Sequence, residues 1–281
     1  MAARRLIVNA DDFGFTRDVN AGILEAHQRG ILTATTLMAN GPAFDDAVER
    51  ARRAPQLDVG CHVVLVGGPA VAATGTPLPP NVKRLAWQLL NRAGRKWIER
   101  EIEAQVEKLL RAGLQPSHLD THKHTHLAPP VLATLCRVAE RYSIPWIRRP
   151  FDLPLTASAP AATRAVNSAF SLVRRRFDRT LARHQRRTTD YFAGFALTGT
   201  LRVEELCSLI RALPEGLTEL MCHPGHCTDE LLHAPTRLKE SRAAELQALT
   251  SDEARRALAA AGVELTSYRA AASRTGSPAV R

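Results

Sequence analysis

The chain has 281 residues, 45% of them hydrophobic and 23% charged. That is ordinary globular usage, and it excludes a largely disordered, collagen-like or coiled-coil chain. The formal net charge is +10, and arginine supplies 33 of the 38 basic residues; this balance favours anionic partners as a class (nucleic acid, phosphorylated ligands, membrane surfaces) without selecting one.

Short apolar runs alternate with longer amphipathic ones. Leu6 to Ala10 reads as a buried strand, 17–29 as a helix stopped by Gly30, and Thr33 to Met38 as a β-branched strand. A helix over 43–54 ends before Pro55, and Leu57 to Val66 is a strongly apolar strand. The Gly-, Pro-, Ala- and Thr-rich stretch 67–82 reads as a long surface loop. A helix over 96–112 carries Ile98, Ile102, Val106, Leu109 and Leu110 on one face, with Gly113 after it. A short strand is expected near 117–122, a helix over 129–142 starting at a proline pair, and a strand at Pro145 to Arg148.

In the second half the pattern predicts a long helix over 162–187, a short strand at 190–193 and a helix over 201–212. A strand from Leu217 to Cys222 follows, then a helix over 236–260 broken near Thr250-Ser251, and a last strand at Val263 to Leu265. Strands separated by helices imply a parallel sheet, and seven or eight such units imply a distorted, TIM-like (β/α) barrel over residues 1–269, with 270–281 as a disordered tail. No GxGxxG follows the first strand, so a dinucleotide site has no support.

Cys61, Cys136, Cys207, Cys222 and Cys227 are odd in number and form no CxxC pair, which reads as a reduced, cytoplasmic protein. The N-terminal apolar run is too short for a signal or a span, and no later stretch approaches 18 apolar residues.

Four features carry chemistry. The first strand runs into Asp11-Asp12-Phe13-Gly14, two carboxylates where α/β barrels keep their active face. The third contains Cys61-His62; alternation puts these on opposite faces, so Cys61 packs if His62 points inward. The densest cluster is His118 to His126, with four histidines and Asp120. As a continuing strand it would put Asp120, His122, His124 and His126 on one face, about 7 Å apart, too far for all to reach one ion. The last is Cys222-His223-Pro224-Gly225-His226-Cys227, again after a buried strand. Asp with two His is a facial ligand set that leaves positions open for water and substrate, and a spare carboxylate beside it suits a general base.

The segments NADDFG, VGCHVVL, HLDTHKHTH and ELMCHPGH, in this order, resemble the YdjC-like carbohydrate deacetylases, and the likeness runs from about residue 4 to 268. The resemblance implies a distorted (β/α) barrel and metal-dependent removal of acetate from N-acetylated sugars, in a family with chitooligosaccharide and hopanoid-linked branches. By position it implies Asp12, His62 and His122 as metal ligands, Asp11 as the catalytic base and His223 as the late-motif histidine. Cys61 departs from the usual Leu or Met.

On this reading one divalent metal, magnesium or zinc first, works with Asp11 as general base and His223 as general acid. Asp120 orients a histidine, and His126 is the reserve ligand, with His124 open. The expected partner is an N-acetylglucosamine-type sugar or glycolipid. A metal-dependent phosphoesterase is the rival enzyme, disfavoured by the scarcity of acids in the later motifs. A basic nucleic-acid binder is the rival of another class, lacking any recognition signature. A stripe of Val166, Phe170, Val173, Phe177 and Leu181, with seven arginines and one aspartate over 174–187, suggests an anionic membrane contact at an inner membrane face. A homodimer is left open.

Overall fold

Arg4–Phe13 forms the central strand β1, buried along its last eight residues because both of its faces are covered. In the computed structural model, which describes residues 3–73, 75–153 and 173–274, the chain then alternates helix and strand as the periodicity predicts. In order it forms α1 (Arg17–Arg29), β2 (Ala34–Leu37), α2 (Phe44–Arg53), β3 (Asp58–Val63), α3 (Val82–Gln88) and α4 (Arg92–Arg111). Next come β4 (His118–Thr121), a 3-10 turn (His122–Leu127), α5 (Pro129–Arg141) and β5 (Trp146–Ile147). The second half holds α6 (Arg174–Arg183), β6 (Tyr191–Ala193), α7 (Val203–Arg211), β7 (Gly216–Cys222), α8 (Asp229–His233), α9 (Glu240–Thr250), α10 (Asp252–Ala261), β8 (Val263–Leu265) and α11 (Tyr268–Arg274).

Among the described residues eight strands form one parallel sheet, seven of them in the order β5-β4-β3-β2-β1-β7-β6 and β8 beside β1. One edge of β1 pairs with β7 from Arg4↔Gly216 to Ala10↔Cys222; the other is shared end to end by β8 at Arg4–Leu6 and β2 at Asn9–Phe13. The sheet curls into a half-barrel, the distorted TIM-like form expected. Its ends meet through isolated bridges, Trp146 to Arg187 and Asp152 to Phe192, rather than a ladder.

Local chemistry explains the element ends. Thr16 caps α1 by accepting from Val19 N, Asn91 caps α4 through Gly94 N, and Ser251 caps α10 through Ala254 N, which is why the 236–260 pattern breaks there. Gly262 ends α10 in the left-handed region. Cys61 is fully buried beside Val59 and Leu119 in the core, and all five cysteines are free thiols.

Several elements differ from the sequence reading, among them the short helix α8, which lies in a stretch assigned no element. α4 begins at Arg92, four residues early, and α3 precedes it within a stretch assigned no element. The loop after β3 doubles back on itself, with an antiparallel bridge between Pro69 and Pro77. α11 carries order to Arg274, because Tyr268 and Ala271 are buried under the sheet; residues 275–281 lie outside the described residues. Of the helix expected over 162–187, Val166 and Phe170 lie outside the described residues, and α6 accounts for Arg174–Arg183, with Phe177 and Leu181 buried as the stripe requires. Among the described residues no helix is long and apolar enough to cross a membrane.

Candidate active site

Regular alternation would send Asp11 and Asp12 to opposite faces of β1. The strand avoids this by a register shift against β2 between Ala10 and Phe13, with Asp12 at φ 68°. That is costly backbone for a residue with a Cβ, tolerated where the surroundings hold it. Gly14, at φ 92°, completes the turn, and its N–H donates to the buried Asn20 side chain at 2.6 Å. Both carboxylates therefore reach one cavity of about 880 Å³, lined also by His62, His122, Lys123, His124, His223 and Arg242.

Three donor atoms converge there. Asp12 Oδ1 lies 3.5 Å from His62 Nε2 and 3.4 Å from His122 Nδ1, and the two ring nitrogens are 3.4 Å apart. Two of the three groups are held from behind. The second oxygen of Asp12 accepts from Arg242 Nη2 at 2.5 Å, and Arg242, from α9, is itself buried. His62 donates from Nδ1 to Asp120 Oδ1 at 2.7 Å, which leaves Nε2 facing the cavity. Burial opposes charge on His62, but Asp120 and Asp11 beside it push its pKa up to about 9.

This set fits a divalent ion. Bonds of about 2.1 Å at tetrahedral angles put donor atoms about 3.4 Å apart, the spacing found here, and two imidazoles with one carboxylate suit such an ion. A second group, Asp11, His62 and Asp120, also brings three donor atoms within 4.8 Å of one another. Arg148 already supplies a cation there, so the bridging carboxylates of a two-metal phosphoesterase are not free.

Arg148 follows β5 and was missed by the sequence reading. Its guanidinium binds Asp11 through both oxygens, at 2.7 and 2.8 Å, pairs with Asp120, and reaches Glu219 at 2.7 Å. Burial alone would raise the Asp11 pKa; Arg148, with His62, outweighs it and holds Asp11 as a carboxylate far below the usual range. The only sequence signal was a pair of arginines at the end of a predicted strand; a fully buried arginine is rare without paired acids. Arg242 and Thr36 were missed as well. Thr36 Oγ1 sits 3.3 Å from Asp11, 3.2 Å from His62 and 3.4 Å from Asp120, tying the three together.

The other histidines separate. β4 ends at Thr121, and Lys123 and His124 then take φ of 56° and 51°, so the expected single face from Asp120 to His126 does not exist. His126 is fully buried, with Nδ1 2.6 Å from Thr121 Oγ1 and Nε2 3.1 Å from the Arg148 carbonyl, so neither nitrogen is free for an ion. His124 lines the cavity against Phe192 and Phe195. His118 stacks on Tyr268 inside the sheet, centroids 3.8 Å apart.

His223 lines the cavity after β7, its backbone N–H held by the buried Glu245. Burial lowers its pKa to about 4, against the opposing pull of Asp11 and Asp12. The ring is therefore neutral at rest near pH 7. The turn that carries it packs on α1 so closely that a Cβ on Gly22 would lie 2.5 Å from Gly225 Cα. His226 points elsewhere and pairs with Glu25 at 3.1 Å, and Cys222 donates toward the Asn9 carbonyl at 3.5 Å, so a Cys/His zinc knot does not assemble there.

Residues 5–260 match the sequence profile of the family described as YdjC-like protein. The chain is a member of the YdjC-like family. A carbohydrate deacetylase from Geobacillus stearothermophilus is 35% identical over 268 residues, covering 95% of this chain and 97% of the relative. One from Brevibacillus brevis is 30% identical over 94% of this chain and 98% of its own length. A crystal structure from Enterococcus faecalis V583, of a protein named for cellobiose-phosphate cleavage, superimposes with a TM-score of 0.71 at 26% identity, covering 95% of this chain and 98% of that one.

Proposed function

We propose that this member of the YdjC-like family is a carbohydrate deacetylase, hydrolysing the acetamide of an N-acetylated sugar with one divalent ion on Asp12, His62 and His122. The observation that carries the reading is the convergence of this donor triangle, a second carboxylate and a cavity-lining histidine at one rim. The names of the curated relatives support the substrate class.

When bound, the ion would polarise the acetyl carbonyl and acidify a water. Magnesium and zinc both suit the set; imidazole donors favour zinc by affinity, while cellular supply favours magnesium. Asp11 takes the proton of the attacking water. Its oxygens already accept from Arg148, but a carboxylate offers about four acceptor positions, so one remains for the water. His223, neutral at rest, accepts the proton that Asp11 has drawn from the water and delivers it to the nitrogen as the C–N bond breaks, leaving Asp11 ionised again. Acetate and a free amine are the products. A glycolipid carrying the same N-acetylglucosamine unit, hopanoid-linked or not, would present the same acetamide to these groups.

The test is acetate release from a panel of N-acetylglucosamine conjugates, with and without added magnesium, zinc, cobalt, nickel or manganese. His62→Ala should abolish bound metal and turnover together. Full metal content in that variant, or release of phosphate but never acetate, would overturn the reading.

A further inference from the structure

α3 and the turn after it are apolar over a broad arc. Leu85 and Leu89 are buried against the core. The rest of the arc stands in water: Val82, Ala86 and Leu90 recur every four residues with Trp87 beside them; Val82 is 47% exposed, Trp87 59% and Leu90 74%. A large aromatic and a leucine in water on one short helix and its following turn cost free energy that a soluble surface has no reason to bear.

The charge around this face has one sign. From Gly67 to Ile98 the sequence carries Lys83, Arg84, Arg92, Arg95 and Lys96 and no acidic residue, and all five are exposed. Arg84 lies over the Trp87 ring at 4.7 Å, so one cation is placed on the apolar face itself. The next acids along the chain are engaged: Glu99 accepts from Arg137 at 3.1 Å, and Glu101 is buried, accepting from the Val71 and Ala72 N–H groups. Exposed Trp and Leu ringed by Lys and Arg is the pattern of a segment that enters the headgroup layer of an anionic bilayer.

The position matters too. The Pro69–Pro77 bridge makes a narrow hairpin. Pro77, on one side, lines a hollow with Gln88, Asn91 and Trp97, beside the exposed face. Pro69, on the other, lines a groove with Phe15, Met38 and Val66 that reaches His122.

We propose that the α3 face, with Trp87 and Leu90 as its apolar tip and the five basic side chains as its rim, docks this protein on an anionic phospholipid surface. This is separate from the basic stripe of α6, and it does not depend on the deacetylase reading.

The experiment is co-sedimentation of the full chain with vesicles of phosphatidylcholine alone or equimolar phosphatidylcholine and phosphatidylglycerol, at low and high salt, with tryptophan emission recorded. Binding to the anionic vesicles alone, weakened by salt, is expected. It should come with a blue shift that disappears in Trp87→Phe, since Trp146 is buried and Trp97 is partly packed against the core. Trp87→Ser with Leu90→Glu should weaken binding about tenfold or more, with unchanged melting because both side chains stand in water. Lys83→Gln and Arg84→Gln should each weaken it about fivefold, the factor corresponding to one surface charge. Charge reversal on α6, Arg175→Glu with Arg179→Glu, should leave it intact. Negligible binding to both vesicles would overturn the proposal, as would an emission maximum that does not move, or loss only in the α6 variant. So would a concentration-dependent dimer, abolished by Trp87→Ser, in place of vesicle binding, or capture of an acidic protein with no affinity for lipid.

Discussion

The two sides of the half-barrel are built differently. From β1 to β4 each strand pairs with the next in a ladder, broken only by the register shift between β1 and β2, and their ends carry Asp11, Asp12, His62 and His122. On the far side β5 and β6 have two and three residues, and each meets only a residue flanking the other, Trp146 with Arg187 and Phe192 with Asp152, across a single bridge. That side contributes one charged group to the base of the site, Arg148, which faces Asp11, Asp120 and Glu219 from across the sheet. The contrast shows two ways of positioning a site. Long paired strands place donor atoms through backbone geometry. A short, poorly paired strand does so through one guanidinium whose fork of donors reaches three carboxylates.

The sharpest way to break this comparison is to remove the guanidinium. Arg148→Met leaves three carboxylates without their counter-charge in a buried place, and should cost about 3–5 kcal/mol of stability in urea titration. Arg148→Lys should recover part of the stability but not the two-point hold on Asp11. A wild-type midpoint in Arg148→Met would mean the far side closes without it.

On the well-paired side, the register shift at β1 gives neighbouring carboxylates different partners, Arg148 for Asp11 and Arg242, His62 and His122 for Asp12. Asp11→Asn should keep bound metal, measured by elemental analysis, and lose turnover by roughly 10²- to 10⁴-fold. Asp12→Asn should lose metal first. Exchanged effects would reverse the assignment.

The smallest effect separates the two sides by the pH window of their response, since both groups stabilise less as pH rises but over different ranges. In chelator-treated protein His62, raised to about 9, contributes stability that is full below its unfolded value of 6.5 and is lost as pH rises through 9. Asp152, on the far side, is pushed up to about 6 by burial, against the N–H bonds from Ala196 and Phe195. A raised carboxyl binds its proton more tightly when folded, so its contribution grows as pH falls from 6 towards 3.8. Thermal melts of His62→Ala and Asp152→Asn against pH should flatten the alkaline and the acid slope respectively; the same slope lost in both would contradict the assignment.

The alternation of periods was enough for the β/α order, because each unit buries a stripe or face whose spacing is written in the residues themselves. The stop of α1 at Gly30 and the helix break at Thr250-Ser251 were equally legible, since capping is local. α3 was not, because its apolar arc is broad and its seven residues make too few turns to show a helical period. The candidate site was legible as a list of residue types at strand ends: Asp11, Asp12, His62, His122 and His223 stand in motifs that no packing argument explains.

What the chain alone could not decide is which of these side chains meet. Alternation separates Asp11 from Asp12, and only the register shift against β2, held by the surrounding loops, brings both into one cavity. Four neighbouring histidines in the β4 segment look equivalent in sequence; the left-handed turn at Lys123 and His124 sends His122 to the donor triangle and His126 into the core. Arg148 and Arg242 carry no motif at all. Their role comes from distance, 137 residues from Asp11 and 230 from Asp12 along the chain, and a buried charge is intelligible only once its counter-charge is in place.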